Sequence, residues 1–77
     1  MIFITVNSPD GRQVYVGRDY DNSYGAAPVT IPLQAGTHTF ETLQNDAVDY
    51  RGRVINVPDG LNLTLDLQPV VPPEPIV

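Results

Sequence analysis

Cysteine, lysine and tryptophan are missing from this chain of 77 residues, and histidine occurs once. Without cysteine there is neither a disulfide nor a thiolate metal site. Basic charge is confined to four arginines against nine acidic residues, for a net charge of −5. Phosphate recognition needs clustered basic groups, so nucleic acid is disfavoured as a partner, and an anionic membrane surface equally so. His38, the lone histidine, has no second imidazole for a metal site or a catalytic pair, and a packed, hydrogen-bonded role is the plainer one. No apolar run approaches the ~20 residues of a membrane span. Met1–Val6 carries neither the basic start nor the cleavage site of a secretory leader. The expected location is therefore the cytoplasm where the chain is made, or a virion or other assembly that takes it up. No nucleophile–base arrangement and no cofactor motif stand out, so the expectation is a protein without enzymatic activity or cofactor.

What the chain does have is turn chemistry between β-rich runs. Ile2–Val6 alternates Ile2, Ile4 and Val6 against Phe3 and Thr5, and Asn7-Ser8-Pro9-Asp10-Gly11 is a turn in which Pro presets φ and Asp-Gly supports positive φ. Gln13–Gly17 reads as the returning strand of a first hairpin. A second, central hairpin is predicted over Gly25–Phe40, with Val29–Leu33 and Thr37–Leu43 folding about Ala35-Gly36. Pro32 removes a ladder donor, so its strand belongs at an edge or a bulge. Gln44-Asn45-Asp46 is a turn, and Tyr50–Val57 is a fifth strand in which Gly52 marks a bulge or kink. Leu61–Leu67 sets four leucines on one face and Asn62, Thr64 and Asp66 on the other, which predicts one dry face and one wet face. Residues 68–77 hold four prolines and read as extended, polyproline-like chain.

These runs predict an all-β fold: a small antiparallel β-sandwich-like domain of about six strands over residues 1–67, followed by an extended proline-rich C-terminal arm over residues 68–77. A domain of this size buries only roughly 60–65% of its unfolded surface. With disulfides excluded, oligomerisation or a partner surface is the expected additional support.

The turn residues resemble a known family. Ser8-Pro9-Asp10-Gly11-Arg12 through Gly17, Gly25-Ala26-Ala27-Pro28, Leu33-Gln34-Ala35-Gly36-Thr37-His38 and the alternating run Val54–Leu67 are similar to the PEGA-type domain, a small bacterial and archaeal β module. Asp10-Gly11-Arg12 stands where that family has Glu-Gly-Ala, and Asp49-Tyr50 replaces its Gly-Tyr. The resemblance implies a compact β-sandwich-like module without enzymatic activity, usually appended to larger cell-envelope or extracellular proteins.

Candidate contact residues lie in two places. The loop Arg18–Tyr24 offers Tyr20 and Tyr24, since tyrosines in loops are frequent at recognition surfaces. Its Asp19, Asp21 and Ser23 have the spacing of a calcium loop's first oxygen donors, but Tyr24 and Thr30 occupy the positions where an EF-hand needs Gly and Glu. A solvated loop of Asx turns is the plainer reading, with no metal bound. The arm offers Val70, Val71, Ile76 and Val77 as apolar contacts for a neighbour. Arg51 and Arg53 share a strand face, a pattern expected to pair with acids across the sheet. The function these features favour is a non-catalytic structural or interaction module: a homo-oligomeric or lattice-bound subunit of a larger assembly, most concretely a phage-type virion surface (decoration) protein whose arm contacts a neighbour. The alternative is a carbohydrate or cell-surface binder using the 18–24 loop, with or without calcium.

Overall fold

The computed structural model describes Met1–Ile76; Val77, one of the expected contact residues, lies outside the described residues. Seven strands run in the order β1 (Ile2–Asn7), β2 (Val14–Val16), β3 (Val29–Leu33), β4 (Gly36–Gln44), β5 (Ala47–Val57), β6 (Asn62–Asp66) and β7 (Gln68–Pro75), with a short 3₁₀ turn at Pro9–Gly11. They form two sheets, β3-β1-β6 and β2-β4-β5-β7, and the core lies between them. The all-β, two-sheet expectation holds, with one strand more than the sequence suggested.

Neither predicted hairpin forms. β1 pairs with β3 and β6, whereas β2 pairs with β4, so the chain crosses the core after β1 and again after β3. Side-chain matching accounts for the choice of partner. Pairing β1 with β3 lines up Ile2 with Leu33, Ile4 with Ile31 and Val6 with Val29, three apolar pairs on the core face. Strand β4, with His38 and Thr42 flanking Phe40 on its core face, offers β3 only one apolar partner. Pro32 does sit in an edge strand, as its missing N–H requires. Asp10 and Gly11 do take positive φ, 62° and 58°. The connection that closes as a hairpin is β4–β5, where Asn45 and Asp46 at φ 53° and 58° form the tight turn suited to right-twisted strands.

Three further expectations are corrected. Strand β6 runs parallel to β1, so the fold is not purely antiparallel. Of the four leucines only Leu67 is buried; Leu63 and Leu65 are half-buried and Leu61 is exposed, because β6 is an edge strand covered from one side. Residues 68–75 do not leave the domain as an arm. They form β7, paired antiparallel with β5. An edge strand uses backbone donors on one side only, so prolines whose missing N–H faces solvent are compatible with it.

Gly52 is neither bulge nor kink. It faces the core opposite Phe40, and a Cβ there would lie 2.6 Å from Leu67 Cδ2 and 3.0 Å from Leu65 Cδ2. The missing side chain is the space that β6 occupies. The bulge lies at Asp49, where the β4–β5 register shifts between Thr42 and Leu43 and the β5–β7 register shifts between Val48 and Tyr50. Gly52→Ala is expected to cost about 1–3 kcal/mol in urea denaturation, the usual range for overpacking a core. A loss too small to measure would mean that β6 does not rest on Gly52.

Candidate functional site

The polar chemistry of the molecule gathers on the outer face of the four-stranded sheet. Tyr15 on β2, Glu41 on β4 and Arg51 on β5 stand side by side in register. The Thr39 carbonyl accepts from Gly17 N–H at 3.0 Å, which turns the odd-numbered backbone of β4 toward β2. Glu41 and Arg51 are thus a non-hydrogen-bonded pair, the kind whose side chains lie closest. Glu41 Oε2 accepts from Arg51 Nε at 3.0 Å and Nη2 at 2.8 Å. Arg51 also reaches β7, donating from Nη1 to Glu74 Oε2 at 2.7 Å and from Nη2 to Glu74 Oε1 at 3.2 Å.

Glu41 is 1% exposed although it points away from the core. The loop after β2 buries it: Tyr20 O–H donates to Glu41 Oε1 at 2.7 Å, and the Tyr20 ring packs edge-on against Tyr15 with centroids 6.2 Å apart. Burial, together with donation to Glu41, raises the Tyr20 phenol above its ordinary value. Hydrogen bonds to Glu74 and Glu41 raise the Arg51 guanidinium, and the same Arg51 contact lowers the Glu74 carboxyl.

A second polar cluster supports the Asp49 bulge. Thr42, fully buried, donates its hydroxyl to Asp49 Oδ1, while Arg12 Nε lies 3.0 Å from Asp49 Oδ2 and Arg12 Nη2 donates to Gln44 Oε1 at 2.5 Å. The Arg12–Asp49 contact is an ion pair, and among the described residues Arg12 Nε and Asp49 Oδ2 are buried with no hydrogen-bond partner.

The residues singled out in the sequence distribute differently. Tyr20 is spent on Glu41, whereas Tyr24 stays 46% exposed, its N–H donating to the Val14 carbonyl at 2.9 Å. Both Asp19 oxygens accept within the loop, from Asp21 N–H at 3.3 Å and Asn22 Nδ2 at 2.9 Å, and Ser23 Oγ donates to Gln13 Oε1 at 2.5 Å. Among the described residues no three His, Cys, Asp or Glu side chains are placed to hold a metal ion. His38 Nε2 meets the Gln34 carbonyl at 2.7 Å. Val70 and Ile76 are half-buried, Ile76 N–H donating to the Asp46 carbonyl at 3.3 Å, while Val71 is 85% exposed. The Arg51 expectation of a cross-strand acid is met by Glu41; Arg53 lies exposed opposite Thr39.

Sequence reasoning missed Glu41, Glu74 and Asp49. A hairpin closed on Asn45-Asp46 without a bulge sets Tyr50 opposite Glu41; the extra residue Asp49 moves Arg51 there instead. An acid in the middle of an otherwise uncharged strand was the available signal.

Compared with protein-family models, curated proteins and solved structures, the chain has no match. The likeness to PEGA-type domains accordingly rests on its turn and strand residues alone.

Removing the arginine leaves a buried carboxylate without its counter-charge, so Arg51→Met is expected to destabilise the fold by about 3 kcal/mol in urea denaturation. A change near zero would show that Glu41 does not depend on Arg51. The Glu74 carboxyl, lowered below its ordinary 4.5, adds stability that is fully present above that value and lost as pH falls through its folded value. Glu74→Gln is therefore expected to flatten the acid limb of the melting temperature against pH; an identical limb would contradict the Arg51–Glu74 contact.

Proposed function

We propose that this chain is a non-catalytic interaction module acting as a protein-bound subunit of a larger assembly, most concretely on a phage-type virion surface. The observation that carries the reading is the form of β7. Its register places Pro69 opposite Tyr50 and Glu74 opposite Val48, so four residues, Val70–Pro73, stand against Asp49 alone. Both flanks are held: Gln68 pairs with Arg51, Glu74 bonds to the Arg51 guanidinium, and Pro75 pairs with Ala47. The intervening crest carries Val71, the most exposed large apolar side chain of the described residues.

An apolar side chain raised on a clamped, proline-stiffened crest loses little entropy on docking. Burying Val71 contributes about 1.5–2 kcal/mol per contact, an effect that multiplies when many copies sit on one surface. This reading moves the contact from the whole C-terminal segment to its crest, since Val70 and Ile76 are already half-buried at home. The acidic charge fits a protein partner better than a polyanion.

Density-gradient sedimentation of extract from the source cells tests this. The chain is expected to travel with a particle far heavier than its own 8.4 kDa. Val71→Asp is expected to release most of it while leaving its melting temperature unchanged, because the side chain is solvated in the free module. A chain found only in the light fractions, or a variant that stays attached, would contradict the proposal.

A further inference from the structure

Four sheet edges flank the sandwich, and three are closed to strand addition. β7 lacks backbone donors at Pro69, Pro72, Pro73 and Pro75, and β3 is interrupted by Pro32. β2 is covered by the chain that follows it, with Val14 N–H donating to Gly25 O at 3.0 Å and Ala27 N–H to Arg12 O at 2.8 Å. Among the described residues β6 has no proline, no bulge and no covering segment. It is, among those residues, the one edge whose outward backbone is neither interrupted by proline nor covered by another segment.

Its backbone is also aimed outward. Phe3 N–H donates to Leu61 O at 3.1 Å and Leu67 N–H to Asn7 O at 3.0 Å, so along this parallel ladder the leucines face β1 with their backbone groups. The N–H and C=O groups of Asn62, Thr64 and Asp66 alternate with them and point to the open side. On the core face Leu63 and Leu65 remain only half-buried.

We infer that β6 is a self-association edge that pairs antiparallel with β6 of a second copy about a two-fold axis at Thr64. That register sets Thr64 against Thr64 and Asn62 against Asp66 twice, using all three outward backbone pairs. Both side-chain matches already occur inside the chain: Thr5 Oγ1 lies 2.8 Å from Thr30 Oγ1, and Asn7 Nδ2 donates to Asp66 Oδ1 at 2.9 Å. The second Asp66 oxygen is left for Asn62 of the other copy. Leu63 of each copy meets Leu65 of the other, covering the apolar surface that β6 leaves open. The two three-stranded sheets become one of six strands with a continuous threonine row. The β6 edge shares no residue with the Val71 crest, so this pairing stands or falls separately from the reading above.

Sedimentation equilibrium of the purified chain tests it. Wild type is expected to reach twice its 8.4 kDa mass as concentration rises, with dissociation in the range of about 1–100 µM for an interface this small. Asn62→Asp places like charges opposite each other at both ends of the register and is expected to weaken dimerisation about tenfold. Adding Asp66→Asn restores opposite character and is expected to restore wild-type affinity, while Val71→Asp leaves it unchanged. A wild type that is folded by circular dichroism and monomeric throughout would overturn the inference, including the case in which the edge instead binds an added extended peptide. Dimers indifferent to Asn62→Asp, or not rescued by Asp66→Asn, would overturn it as well.

Discussion

One extra residue in β5 sets the geometry of the larger sheet. From the Asn45-Asp46 turn the ladder pairs Gln44 with Ala47 and Leu43 with Val48; past Asp49 it pairs Thr42 with Tyr50 and Glu41 with Arg51. The bulge is held by a buried threonine and by Arg12, which reaches it from the turn before β2. Because side chains alternate at every residue, a one-residue shift moves each of them to the opposite face. Without the bulge, Arg51 would enter the core side and Gly52 would face out.

Two consequences follow from that shift. On the inner face, Gly52 arrives opposite Phe40 and leaves the volume that Leu65 and Leu67 fill, which brings β6 against β5 and ties the two sheets together. On the outer face, Arg51 arrives opposite Glu41 and bridges it to Glu74 on β7. Tyr20 then closes over the carboxylate and ties the 18–24 loop to the sheet. Burying an ion pair gives little net stability, but it fixes position: the loop and the C-terminal edge strand share one anchor. Clamped in this way, β7 lifts Val71 into solvent, where the proposed contact with a neighbour is made.

Much of the fold was legible residue by residue, and the topology was not. Strand periodicity in Ile2–Val6 and Val29–Leu33, the positive φ at Asp10-Gly11 and the edge position enforced by Pro32 all follow from local chemistry. A connection that returns within a sheet and one that crosses the core look alike locally, which is why Ala35-Gly36 reads as a hairpin turn yet joins two sheets. Prolines in Gln68–Pro75 exclude a central strand but not an edge strand, and the sequence contains no measure of which outward N–H groups are needed. Glu41 lies on the solvent face by alternation, and only the fold of a loop twenty residues away buries it. The candidate site was missed for the same reason as the Gly52 packing: both depend on a bulge with no glycine to announce it.

The absence of cysteine makes the register directly measurable. Thr39 and Arg53 are a non-hydrogen-bonded pair beyond the bulge, with side chains on the same face and close enough for a disulfide. Oxidation of a Thr39→Cys/Arg53→Cys variant, followed by mass spectrometry, is predicted to give rapid crosslinking within one chain. His38→Cys/Arg53→Cys, the pair that a ladder without the bulge would bring together, is predicted to stay reduced. Crosslinking of the second pair and not the first would contradict the Asp49 register and, with it, the placement of Arg51 on Glu41.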